Sequence, residues 1–252
     1  MVDLNIGNSQ NFNVENMNHI TTLKCNNGSI LCLKTLEDGR LAAGDEFSNL
    51  IIYNKDTFKP EIIIQNNLER LLNFTQLKNN YIACSFLKNY TLKIIKNINN
   101  NNENENQIIK NAHNDSITKI IELKNENLIT FSFDYSFKIW KLNNNNKYEI
   151  INEFKDSNAL SDGLEIKHNE IILYALETTP NSLVFYNLNK DEKIKAINIL
   201  NFLIDSVGYR IIKLNNDEIA IAGNGIIYLI DINNYSILNE INSDDNYSIL
   251  KL

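Results

Sequence analysis

The segment Leu33-Lys34-Thr35-Leu36-Glu37-Asp38-Gly39-Arg40-Leu41-Ala42-Ala43-Gly44 sets the pattern that decides the fold. An apolar-alternating run ends on Leu36. Four mostly polar residues follow, and a second apolar run starts at Leu41. The phrase recurs along the chain. Leu77 precedes Ile82-Ala83-Cys84-Ser85, and Leu123 precedes Leu128-Ile129-Thr130-Phe131-Ser132. Ile166 precedes Ile171-Ile172-Leu173, and Leu214 precedes Ile219-Ala220-Ile221-Ala222-Gly223. In all five copies the second apolar residue falls five positions after the first. A fixed offset repeated that often is hard to obtain by chance, even in an Ile-rich chain.

The anchors Leu36, Leu77, Leu123, Ile166 and Leu214 are 41, 46, 43 and 48 residues apart. That is the repeat length of a four-stranded propeller blade. Each unit continues with a third strand: Leu50 to Tyr53, Thr91 to Ile95, Phe137 to Trp140, Leu183 to Tyr186 and Ile226 to Ile230. Fourth strands are read at Glu61 to Ile64, Gln107 to Ile109, Tyr148 to Phe154, Lys193 to Ile199 and Tyr235 to Ile241. β-Branched and aromatic enrichment between short polar breaks favours strands. No stretch carries a helical period. The expected fold is an all-β propeller in a single domain, 1–252, of six four-stranded blades. Five are complete, at 29–64, 70–111, 113–154, 161–199 and 208–241. The sixth joins residues 247–252, which match a first strand, to three strands read within 2–24. Closing a ring from both ends removes open sheet edges.

The third unit carries the most specific wording. It runs Ala112-His113-Asn114-Asp115-Ser116-Ile117, then Leu128-Ile129-Thr130-Phe131-Ser132-Phe133-Asp134-Tyr135-Ser136-Phe137-Lys138-Ile139-Trp140. This resembles a WD-repeat blade closely. His113 takes the family's position before strand one, Ser132 ends strand two, and Asp134 sits in the following turn. Trp140, the one Trp of the chain, closes strand three. The resemblance implies that His113, Ser132, Asp134 and Trp140 form a buried hydrogen-bond network tying a loop to the sheet. The Asp that follows Trp in the family is Lys141 in this chain. The other units match by period and strand pattern, with Tyr53, Ile95 and Tyr186 near the Trp position and no matching His.

Composition narrows the function. The chain has 252 residues, a net charge of −7 and a pI of about 5.1. An acidic chain is a poor general partner for nucleic acid or anionic membrane, so neither is expected. No apolar run spans a bilayer and no secretory leader is read at the N-terminus. Cys25, Cys32 and Cys84 lack metal-like spacing and read as reduced buried thiols, which suits a cytoplasmic location. Asn is in large excess at 47 residues, against 2 Pro, 8 Gly and three Arg (Arg40, Arg70, Arg210). The excess looks first like codon bias, filling turns and loops. The run from Ile98 to Asn106 reads as a mobile polar insertion, and Asn143 to Asn146 as a shorter one. Gly223-Asn224-Gly225 reads as a tight hairpin.

Catalytic chemistry is weakly signalled. His113, Asp134 and Ser132 invite a triad reading, but the blade network explains them together with Trp140, and no Gly-Ser-Gly elbow is present. His19, His113 and His168 are far apart, so no metal and no cofactor are expected. The innermost strands offer only Glu122, Glu165 and Asn73 as inward ligands for a channel ion. The expected function is a non-catalytic platform for other proteins or peptides, a WD-repeat-like scaffold or adaptor within a larger complex. Arg70, Phe86, Tyr135 and Arg210 are its candidate contact residues, because Arg and aromatic side chains dominate interface hot spots. One alternative is a reader of a modified peptide or ubiquitin at the channel mouth. The other is a propeller hydrolase or lactonase with a central metal.

Overall fold

The computed structural model describes residues 29–66, 69–87, 90–99, 105–176, 181–199, 210–223 and 226–242. These residues form twenty strands in five four-stranded antiparallel sheets. Blade one comprises β1 (Ile30–Thr35), β2 (Leu41–Asp45), β3 (Asn49–Tyr53) and β4 (Pro60–Gln65). Blade two comprises β5 (Leu71–Gln76), β6 (Ile82–Phe86), β7 (Leu92–Ile95) and β8 (Gln107–Ile109). Blade three comprises β9 (Ile117–Glu122), β10 (Leu128–Ser132), β11 (Ser136–Leu142) and β12 (Tyr148–Lys155). Blade four comprises β13 (Ala159–Lys167), β14 (Glu170–Leu176), β15 (Asn181–Asn187) and β16 (Glu192–Ile199). Blade five comprises β17 (Arg210–Lys213), β18 (Glu218–Gly223), β19 (Ile226–Asp231) and β20 (Ser236–Asn242). The sixth unit read from the two ends of the chain, and the Gly223-Asn224-Gly225 turn, lie outside the described residues wholly or in part.

The five-residue offset has a local cause. In the first three blades the anchor N–H donates to the carbonyl four residues on. The N–H three residues on donates back to the anchor carbonyl. Leu36 pairs in this way with Arg40 and Gly39, Leu77 with Tyr81 and Asn80, and Leu123 with Asn127 and Glu126. The tight turn needs a left-handed residue at its third position, filled by Gly39, Asn80, Glu126 and Asn169, with φ of 83°, 65°, 67° and 59°. The side chains of Asp38, Asn79 and Asn125 each accept the N–H two residues on. Asn and Asp are therefore working turn residues at these sites. The same chemistry corrects the reading of Asn143 to Asn146. Asn143 N–H donates to Lys147 O, and its Oδ1 accepts from Asn145 and Lys147, so this is a bonded hairpin turn.

Burial follows strand position. β2, β6 and β10 are buried nearly throughout, whereas β12 exposes most of its length. The first strands stand side by side, β1 against β5, β5 against β9, β9 against β13 and β13 against β17, and so line the inner wall. Each interface between blades is one apolar cluster. Leu36, Leu50 and Ile52 meet Phe74, Cys84 and Phe86 between blades one and two. Leu77, Leu92 and Ile94 meet Ile120, Trp140 and Tyr148 between two and three. Phe131, Phe137 and Phe154 meet Leu173, Val184 and Tyr186 between three and four. Ile172, Tyr174 and Phe185 meet Ile219, Tyr228 and Ile230 between four and five. Gly163 makes room at one of these joints, since a Cβ there would lie 2.6 Å from Phe131 Cε2. Among the described residues no helix is long and apolar enough to cross a membrane.

Candidate functional site

Blade three holds a chain of buried polar groups. Trp140 Nε1–H donates to Thr130 Oγ1 at 2.9 Å, and Thr130 Oγ1 lies 2.7 Å from His113 Nε2. On the other side of the ring, His113 Nδ1 is 3.0 Å from Asp134 Oδ2. The ionised Asp134 carboxylate can only accept, so the proton of a neutral imidazole sits on Nδ1 and points at it. Nε2 is then the acceptor, and the Thr130 hydroxyl, which accepts from Trp140, donates its own proton to it. Asp134 also accepts from Asn114 N–H at 2.8 Å, Ser136 N–H at 3.1 Å and the Ser136 hydroxyl at 2.6 Å. Burial alone would raise the Asp134 pKa, but these donors outweigh it and hold the carboxyl well below the usual range. Burial lowers the His113 pKa despite the adjacent carboxylate, which fits a neutral ring.

Two residues of this network are absent from the sequence reading. Thr130 joins His113 to Trp140, and Ser136 braces Asp134. Ser132 ties the loop to the strand through backbone groups rather than through the His113 ring: its hydroxyl donates to Asp115 O and accepts from Asp134 N–H. It fixes the neighbouring turn. Thr130 carries a signal: it is a hydroxyl between apolar Ile129 and Phe131 in a fully buried strand, where it must find partners.

The inner strands carry polar links from blade to blade. Just before the anchor, Gln76, Glu122 and Glu165 accept the turn N–H of Glu37, Lys78 and Lys124 in the preceding blade, at 2.7, 2.9 and 2.8 Å. At the same position in blade five, Lys213 Nζ instead donates to Ile166 O at 3.4 Å. Glu122 and Glu165, the candidate inward ligands, are thus engaged in joining blades. The list of inward acids also missed Asp162. This fully buried carboxylate meets Lys119 Nζ at 2.8 Å and Ile211 N–H at 3.0 Å, linking blades three, four and five. Among the described residues no three His, Cys, Asp or Glu side chains gather as a metal site. Cys32 and Cys84 are free thiols, and burial raises both; Cys32 is pushed up to about 12.

The two ends of the blades differ. One end collects the turns after the first and third strands, built largely from Asn, Asp, Lys and Glu, and among the described residues it carries Phe58 at 38% exposure. The other end collects the turns after the second strands and the segments leading into each inner strand. There Phe47, Phe133 and Tyr135 are 56%, 38% and 53% exposed, beside exposed Arg70 and Arg210. Tyr135 and Arg70, two of the candidate contact residues, therefore share one face with Arg210. Phe86 does not join them. It is 0% exposed in the joint between blades one and two, because β6 is a second strand buried on both sides.

No family model matches the chain. Among solved structures it superposes on the RRP9 WD40 repeats with a TM-score of 0.69 and 13% identity, over 87% of this chain and 65% of that one. The fold is that of the WD40-repeat β-propellers. The chain is also 32% identical over 144 residues to the UDP-galactose:fucoside alpha-3-galactosyltransferase of Dictyostelium discoideum. That match covers 54% of this chain and only 22% of that protein, so the chain spans about a fifth of it.

Proposed function

We propose that the chain is a non-catalytic platform that binds other proteins or peptides on the face bearing Phe47, Arg70, Phe133 and Tyr135, as one subunit of a larger assembly. Tyr135 carries the argument. It is a bulky residue at φ 66°, a conformation that costs an L-residue about 1–2 kcal/mol, and its ring is exposed. Ser48 takes the same left-handed conformation at the equivalent turn position of blade one, and Phe58 does so on the opposite face, so the contact role rests on exposure: the Tyr135 ring is 53% exposed on the face that also bears exposed Phe47 and Phe133. The surrounding composition agrees, since Arg and aromatic residues anchor interfaces and the opposite face is dominated by short polar turns. The partly matching galactosyltransferase gives no ground for moving its reaction to this chain. A cytoplasmic location fits the free thiols at Cys32 and Cys84.

Affinity capture from native lysate, with quantitative mass spectrometry, tests the reading. Phe47→Ala with Tyr135→Gly, and separately Arg70→Glu with Arg210→Glu, should deplete the co-purifying set by about tenfold, the loss from about 1.4 kcal/mol. Asn125→Ser on the opposite face should leave the set unchanged. An unchanged set in both face variants would overturn the proposal.

A further inference from the structure

The arginines of the chain are held differently. Arg40 meets Asp38 at 2.8 Å and reaches Glu61 at 3.9 Å, and Arg210 is also engaged. Arg70 is exposed, and among the described residues its guanidinium has no hydrogen bond and no ion pair. That is unexpected in a chain with 31 acidic side chains against 24 Lys and Arg. Its place is fixed by contacts on both sides. The next residue, Leu71, packs on the end of β2, since a Cβ on Gly44 would lie 2.7 Å from Leu71 Cδ2. Asn66, earlier in the same connection, donates from Nδ2 to Ser48 O at 2.7 Å. Arg70 O accepts Leu87 N–H at 2.9 Å from its own blade. Arg70 is therefore seated beside the blade-one turn that carries Phe47. Blade three, with Phe133 and Tyr135, flanks it on the other side. The carboxylates of these turns are already used. Asp45 accepts Phe47 N–H, Asn49 N–H and Asn49 Nδ2, and Glu46 accepts Ser29 N–H. Asp115 accepts Ser116 N–H, and Asp134 serves His113, Asn114 and Ser136. Carboxylates that cap tight turns are held there by the backbone donors they satisfy. Glu69, the exposed chain neighbour, forms no ion pair with Arg70.

We propose that Arg70 receives one carboxylate, an Asp or Glu side chain flanked by apolar residues, from a partner's peptide segment docked on the Tyr135 face. This rests on the platform reading above and names the partner's chemistry. A guanidinium presents a planar fork of donors that matches both oxygens of a single carboxylate. Apolar groups packed around such a pair exclude water and strengthen it. The exposed rings of Phe47, Phe133 and Tyr135 supply that surround and take the apolar neighbours of the acid. A phosphate fits less well, because its charge of about −1.5 to −2 would approach Glu46, Glu69 and Asp115.

The test pans random peptides displayed on phage against the immobilised full chain, then measures the selected peptides, resynthesised, by calorimetry. Peptides with an Asp or Glu beside aromatic or aliphatic residues are expected. Replacing that acid by its amide should weaken binding at least about tenfold, the loss of one charge-assisted pair. Panning against Arg70→Glu, an exposed site where folding is not at stake, should select Lys or Arg in place of the acid. Arg70→Lys keeps the charge but not the fork, and should retain the acidic preference at reduced affinity. Lys141→Met, on an exposed site of β11, should change nothing. The proposal is overturned if no peptide is selected, if the acid is not enriched, or if Arg70→Glu selects the same acidic peptides. Tighter binding of a phosphoserine peptide than of its Glu counterpart would overturn the carboxylate assignment. Peptides without an acid that still depend on Phe47 and Tyr135 would leave the platform reading standing and sink this inference alone. Peptides indifferent to Phe47→Ala and Tyr135→Gly would sink both.

Discussion

Thr130 donates its hydroxyl proton to His113 across 2.7 Å, and through that bond the imidazole is held between a strand and a turn. The same oxygen accepts the Trp140 indole at 2.9 Å, so one side chain completes two buried partners. Thr130→Val keeps the shape and leaves both partners unsatisfied. We expect a loss of about 2–4 kcal/mol, since each orphaned buried group costs about 1–3. Ser132→Ala removes a hydroxyl serving only backbone groups and should cost about 1 kcal/mol. Urea denaturation of the two variants decides the order. A Ser132 variant as damaged as the Thr130 variant would return Ser132 to the centre of the network.

The neutral His113 has a signed consequence for pH. Its folded pKa lies below the ordinary 6.5, so the unfolded chain takes up the proton first as the medium acidifies. The stabilisation is complete above about pH 6.5 and is lost as pH falls towards the folded value. The depressed Asp134 has the same sign, but acts in a far more acidic window. Wild-type stability should therefore fall between pH 7 and pH 5, by no more than about 1.4 kcal/mol per pH unit from this group. His113→Gln should be weaker at pH 7 and should show a flatter slope. Parallel slopes for the two proteins would contradict a neutral, desolvated ring.

Tyr135 should display a conflict between stability and binding. Glycine adopts positive φ freely, so Tyr135→Gly should raise stability by about 0.5–1 kcal/mol after its own entropy cost. Partner capture should fall in the same variant. Thermal denaturation beside a binding assay reads both, and a Gly variant that is less stable than wild type would remove the strain argument.

The shared sixth blade stands as a proposal on the sequence pattern of 247–252 and 2–24. Ala43, Ile51 and Tyr53 form a buried group of blade one separate from its joint with blade two, as expected of a face with another neighbour. Deleting 247–252 should cost at least about 3 kcal/mol, the scale of several lost core side chains. A deletion within about 0.5 kcal/mol of wild type, the range of ordinary surface changes, would sink the shared blade.

What the sequence disclosed tracks how local each feature is. The anchor-plus-five offset was readable because a single hairpin generates it, with bonds such as Leu77 N–H to Tyr81 O spanning four residues. Phe86 reads as a contact residue because it ends a second strand beside a turn, while its burial comes from blade one, through residues such as Leu36 and Ile52. Asp162 was missed for a similar reason: its partners Lys119 and Ile211 are 43 and 49 positions away, and only the ring brings them together.

The platform claim is tested most directly by hydrogen–deuterium exchange on the full chain, alone and with its captured partner. Binding on the proposed face should protect the turns around Phe47 and Phe133 to Tyr135, and leave those around Asn79 and Asn125 unprotected. Protection confined to the Asn79 and Asn125 turns, with Tyr135 exchanging as in the free chain, would contradict the account.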